Sequence, residues 1–220
     1  MLTVELINQS IPQIQLQDSV KKALQLINDF RVTHLPVVSD DKFLGLVSED
    51  DLLDAEDSKL PIQILQDTFL KVAVHENEHF LKAIHLCNEF TTSIVPVVGE
   101  ENELMGVITS TDLLKIIGEF NGAKEIGGLI VLEMERSKFT ISEISRITES
   151  NDATILHLNT IVHPETGMLT VTIHLNKKEI ASTVATFERY DYDVIYFFGN
   201  EQFENEIHSN YRHLMNYLDI

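Results

Sequence analysis

Apolar residues recur every three or four positions at Val20, Ala23, Leu24, Ile27 and Phe30, a spacing that predicts an amphipathic helix. The apolar run Leu35 to Val38 predicts a strand. The polar turn Ser39-Asp40-Asp41 then leads to a second strand, Phe43 to Val47, and a further helix begins near Ser48. The same succession returns as helix 79–90, strands 94–98 and 104–108, and helix 110–119.

The return is literal. With a shift of 60 residues, Asn28-Asp29-Phe30 meets Asn88-Glu89-Phe90, and Thr33-His34-Leu35-Pro36-Val37-Val38 meets Ser93-Ile94-Val95-Pro96-Val97-Val98. One inserted residue later, Gly45-Leu46-Val47-Ser48 meets Gly106-Val107-Ile108-Thr109, and Asp51-Leu52-Leu53 meets Asp112-Leu113-Leu114. Two copies are therefore expected, 1–60 and 61–120. A β-β-α unit preceded by one helix is too small to cover its own sheet, so the copies should pack on each other.

The pattern changes after a linker over Glu119 to Lys124. Gly127 to Met134 reads as a strand, 140–150 as a helix with Ile141, Ile144 and Ile147 on one face, and 153–162 and 168–175 as strands. His163-Pro164-Glu165-Thr166-Gly167 joins those two strands as a turn, and Leu169, Val171, Ile173 and Leu175 alternate cleanly. A helix from Lys177 to about Tyr190 and a strand Val194 to Phe198 complete β-α-β-β-α-β, a ferredoxin-like order over 127–199. Phe203, Ile207, Tyr211, Leu214 and Leu218 predict a last helix over 201–220. The fold class is thus α/β, of the α+β kind.

Composition removes whole classes of function. Sixteen Lys and Arg against thirty-five Asp and Glu give a net charge of −19, which disfavours nucleic acid and anionic membrane surfaces as partners. One cysteine, Cys87, excludes an internal disulfide, and no apolar run reaches the length of a membrane span. The first residues carry no signal-peptide pattern, so a cytoplasmic location is expected. Eight carboxylates lie between Asp40 and Asp57 against Lys42 alone; a solvated face explains them, and no EF-hand spacing supports a divalent cation.

The candidate chemistry sits in the repeated G-h-h-[ST]-x-x-D, where h is apolar. Ser48 and Thr109 stand where a strand ends and a helix begins, with Asp51 and Asp112 three residues on. A structural reading makes them helix caps. A functional reading uses the same geometry: unpaired helix N–H groups and a hydroxyl face a phosphate, while the carboxylate accepts from ribose hydroxyls.

The doubled order h-P-V then G-h-h-[ST]-x-x-D over residues 1–119 resembles the cystathionine-β-synthase (CBS) domain pair, the Bateman module. The resemblance implies an adenine nucleotide (AMP, ADP or ATP) in the cleft between the copies. It assigns Thr33, His34, Leu35, Ser48 and Asp51 to one site and Ser93, Ile94, Val95, Thr109 and Asp112 to the other. Copy one adds Glu49 and Asp50 where a phosphate would dock, whereas copy two offers Ser110 and Thr111, so the second site is favoured. Protonation of His34 would offset some of that charge. The second half resembles an ACT domain, and a CBS pair followed by ACT is the layout of acetoin-utilisation-type regulatory proteins. Its first strand-to-helix turn, Glu135 to Phe139, lacks the Gly usual in amino-acid-binding ACT domains, which leaves a dimerising sheet without a ligand equally open.

His75-Glu76-Asn77-Glu78-His79 satisfies H-E-x-x-H, a zinc hydrolase signature when both imidazoles lie on one helix. The repeat aligns it with Gln15 to Ser19, ahead of a helix rather than within one, which counts against that reading. No nucleophile motif, P-loop or G-x-G-x-x-G is present. The resemblance therefore implies a non-catalytic regulatory protein, homodimeric, acting on a partner protein that the sequence does not identify. The alternative is a dimerisation module with unoccupied pockets.

Overall fold

The computed structural model describes residues 1–200; the helix expected over 201–220 lies outside the described residues. The chain divides into two compact units, Met1–Ile117 and Gly118 onward. In the first unit, copy one consists of β1 (Ile14–Gln15), α1 (Val20–Phe30), β2 (His34–Ser39), β3 (Lys42–Ser48) and α2 (Glu49–Leu53). Copy two consists of β4 (Val74–His75), α3 (Phe80–Glu89), β5 (Ile94–Val98), β6 (Leu104–Thr109) and α4 (Ser110–Phe120), the last helix running past the unit boundary. Each copy has one strand more than the apolar pattern predicts. β1 and β4 pair in parallel with β2 and β5, which pair antiparallel with β3 and β6.

The Ser19 hydroxyl accepts the Lys22 N–H at 3.2 Å and starts α1, which buries Val20, Ala23 and Ile27. Phe30, the last residue of the apolar series, is exposed at the helix end. Arg31 after α1 and Thr91 after α3 turn the chain in the left-handed region, at φ 54° and 52°. The two copies share a core: Ile94, Val98 and Val107 of copy two are buried in the same cluster as Leu35, Val37 and Val47 of copy one.

The segments between these elements cross over. Residues 2–8 leave copy one and bind copy two: Thr3 N–H donates to Glu78 O at 2.9 Å, Val4 N–H to Glu76 O at 3.1 Å and Asn8 N–H to Val107 O at 2.7 Å. Residues 58–70 bind copy one in the equivalent way, through Lys21 N–H to Ser58 O at 2.7 Å and Leu46 N–H to Leu70 O at 2.9 Å. At the far end the hairpin turns clasp each other. Phe43 N–H donates to Asn102 O at 2.9 Å, and the Asn102 side-chain amide donates to Phe43 O at 2.8 Å.

The second unit consists of β7 (Gly128–Glu135), α5 (Ile141–Glu149), β8 (Ile155–Val162), β9 (Met168–Leu175), α6 (Ala181–Arg189) and β10 (Asp193–Phe198). Its sheet order β10-β7-β9-β8, antiparallel throughout, is ferredoxin-like. Leu169, Val171, Ile173 and Leu175 face a core closed by Ile144, Ile147, Val184 and Phe187. The apolar face of α5 begins at Ile144, since Ile141 is 59% exposed, and Thr140 precedes the helix without a side-chain cap bond. α6 starts at Ala181, four residues later than its pattern suggests, with Ile180 as the cap.

Candidate functional site

The repeated motif folds the same way twice. The Ser48 hydroxyl accepts the Asp51 N–H at 3.0 Å and donates to Asp51 Oδ2 at 2.6 Å. The Thr109 hydroxyl accepts the Asp112 N–H at 3.1 Å and donates to Asp112 Oδ2 at 2.7 Å. Capping is thus realised at both sites, and it also fixes where each carboxylate stands. Gly45 and Gly106 explain the first letter of the motif. The crossing segments pass so close that a Cβ on Gly45 would meet Phe69 Cβ at 2.7 Å, and one on Gly106 would meet the Ile7 side chain. Both also hold φ near +150°, which L side chains avoid.

Thr33 and Ser93 meet where the copies join. Their carbonyls accept the first N–H of the two following helices, from Glu49 and Ser110, both at 2.9 Å. The Ser93 hydroxyl accepts the Thr33 N–H at 2.8 Å. Thr33 Oγ1 lies 2.8 Å from His34 Nδ1. Burial lowers the pKa of His34 against the opposing pull of Asp51 and Asp50, so the imidazole is neutral at pH 7 and offsets none of their charge. Leu35, Ile94 and Val95 are at most 1% exposed, their side chains packed in the core.

The two helices that follow the motif differ. α2 is five residues long, with Glu49, Asp50 and Asp51 in its first turn, whereas α4 is eleven long with Asp112 alone there. At copy two the Asn8 side-chain amide, carried in by the crossing segment, donates to Asp112 Oδ2 at 3.2 Å. Lys115 Nζ lies 3.5 Å from Asp112 Oδ1. The Thr109 hydroxyl, then Asn8 and Lys115, hold this carboxyl below its ordinary value against partial burial, so it is an ionised acceptor at neutral pH. Sequence reasoning missed Asn8. Both crossing segments make the same bridge to a third strand, Asn8 to Val107 and Leu70 to Leu46, but the 60-residue shift sets Asn8 against Thr68, so the repeat alignment carried no signal for it. A cavity of about 380 Å³ opens beside this contact between Gln9–Gln13 and Leu104–Val107.

The remaining candidates separate. His75 ends β4 and His79 caps α3, with a turn between them in which Glu78 accepts the His75 N–H at 2.9 Å. The two imidazoles therefore do not share a helix face. Cys87 is half-buried, its thiol donating to Thr92 O at 2.9 Å, and burial pushes its pKa up. In the second unit a cleft of about 480 Å³ lies between the end of β7 and the α6–β10 turn. There Tyr192 donates to Glu143 Oε2 at 2.8 Å, and burial followed by that carboxylate pushes the phenol up to about 12.

Comparison with known proteins bears on the first unit. The CBS domain family model matches residues 4–58 and 71–119. A homoserine O-acetyltransferase of Methanobrevibacter ruminantium is 32% identical over 121 residues, 53% of this chain and 24% of that protein. An uncharacterised protein of Methanocaldococcus jannaschii is 28% identical over 106 residues, 46% of this chain and 35% of that protein. The chain thus spans only a quarter to about a third of these curated relatives. The crystal structure of a CBS domain pair/ACT domain protein from Thermotoga maritima superposes with a TM-score of 0.50 at 24% identity, covering 55% of this chain and 98% of that one. That likeness is one of fold. No helix among the described residues is long and apolar enough to cross a membrane.

Proposed function

From residues 4–58 and 71–119, which are a tandem pair of CBS domains, we propose that the chain is a non-catalytic regulatory protein that binds an adenine nucleotide (AMP, ADP or ATP) in the copy-two cleft. One observation carries the reading: an ionised Asp112, oriented by Thr109 and Asn8, stands at the start of an eleven-residue helix, and Gln9, next to Asn8, lines a cavity with no charged residue. The carboxylate accepts from a ribose diol, and the helix start with its Ser and Thr hydroxyls attracts phosphate. Ser93 and the main chain of Ile94 and Val95, whose side chains are buried, complete this site. Thr33, His34, Leu35, Ser48 and Asp51 form its weaker counterpart, in which three carboxylates in one turn repel an anion.

Under the same proposal residues 1–60 and 61–120 are the two repeats, and 127–199 is an ACT-like domain that pairs copies of the chain or senses an effector. The nucleotide then biases the arrangement of a homodimer that acts on a partner protein. Calorimetric titration with AMP, ADP and ATP, with and without magnesium, tests the nucleotide. Saturable binding lost in Asp112→Ala and kept in Asp51→Ala is expected. Silence from all three would sink the proposal and favour a purely structural dimerisation module, whose dimer light scattering detects.

A further inference from the structure

The cavity between Gln9–Gln13 and Leu104–Val107 has an unusual lining for so acidic a chain. Its walls are Ile11, Pro12, Pro36 and Met105, none of them charged, and its polar side chains are the exposed amides of Gln9 and Gln13. A chain of net charge −19 that leaves this hollow neutral offers it to a flat, uncharged ring rather than to an ion. A carboxamide presents one donor and one acceptor side by side, the pattern that complements a purine edge.

Asn8 links the cavity lining to Asp112. Asn8, bound to Asp112 through its side chain and to Val107 through its backbone, is followed directly by Gln9. Asn8 is itself held rigid, its Oδ1 accepting the Ser10 N–H at 2.9 Å and the Ser10 hydroxyl at 2.5 Å. The corresponding place against copy one is taken by Leu70, which has no polar side-chain atom.

We propose that the crossing segment Asn8–Gln13 is the specificity element of the copy-two cleft: Asn8 positions the Asp112 carboxylate for the ribose, and Gln9 and Gln13 read the edge of a neutral purine base. The site is then built by both copies, with sugar and phosphate met by copy two and the base met by a segment of copy one. This inference rests on the nucleotide reading above.

The full-length chain, titrated calorimetrically with AMP and with ribose 5-phosphate, tests it. Gln9→Leu/Gln13→Leu alters exposed side chains, and its far-ultraviolet circular dichroism and melting temperature should match the parent. The double variant is expected to weaken AMP at least tenfold and leave ribose 5-phosphate unchanged, erasing the advantage the base confers. Asn8→Leu, which installs the residue found at Leu70, is expected to weaken both ligands. If AMP binds the parent and the Gln variant equally well, the base is read elsewhere and this inference falls while the nucleotide reading stands. If the parent binds neither ligand, the nucleotide reading fails first and takes this one with it.

Discussion

At the residue scale, close approach and burial decide what the repeated motif tolerates. Gly45 faces the Phe69 side chain and the Leu70 carbonyl at a φ of +152°. Gly45→Ala should therefore cost about 2–4 kcal/mol in a denaturant melt, by overpacking and backbone strain together. An unchanged midpoint would show that the crossing segment yields. Thr183 is fully buried on α6, and its hydroxyl has no hydrogen-bond partner. Thr183→Val keeps the shape and removes the buried hydroxyl, so a gain of about 1 kcal/mol is expected in the same melt. His34 supplies a pH dependence. Its folded pKa lies below its unfolded value, so the unfolded chain binds the proton more readily and folding favours the neutral ring. The contribution of His34 to stability is present above about pH 6.5, the ordinary imidazole value, and shrinks as the pH falls below it. The stability difference between the parent and His34→Gln should narrow steadily from pH 7 to pH 5.

At the element scale, the contact between the two hairpins holds the copies in register. Asn102 serves it twice, through a side-chain bond to Phe43 O and through a left-handed φ of 64° that asparagine accepts more readily than alanine. Asn102→Ala should cost about 1–3 kcal/mol and lower the thermal midpoint in scanning calorimetry. The helices and long strands were legible because each writes a period into the chain. Val20, Ala23 and Ile27 repeat at helical spacing, and Leu169 to Leu175 alternate. β1 was not legible, since two residues make no period and its pairing is by backbone alone. The crossing segments escaped for the same reason: Val4 donates through its N–H and Ser58 accepts through its carbonyl, main-chain groups that leave no mark on side-chain identity. Phe30 and Ile141 had the right spacing but stand at helix ends, beyond the reach of the core. Ser48, Asp51, Thr109 and Asp112 were legible because they recur; Asn8 was not, because its counterpart Leu70 shares no chemistry with it.

At the scale of the whole molecule, two units each own a core: the tandem repeat has its shared cluster, and the ferredoxin-like unit closes around Phe187 and Leu132. Residues 1–120 expressed alone should therefore melt cooperatively and show the proposed nucleotide binding as the full chain does. A fragment without a cooperative transition would show that the first unit depends on the second. The charge follows the same division, with eight basic and twenty acidic residues up to Phe120 and eight and fifteen beyond. Both parts carry excess negative charge, which favours solvation of each over association with polyanions.

The crossing of residues 2–8 onto copy two also sets an order of events during synthesis. Asn8 and Asp112 are 104 positions apart. At a translation rate of roughly 5–20 residues per second, the early segment waits about 5–20 s before its partner exists. Copy one can collapse in that interval, yet the cleft at Asp112 closes only after the second copy has left the ribosome. The proposed ligand site is thus among the last parts of the repeat to form, and a nucleotide that binds there would meet only chains in which both copies are complete.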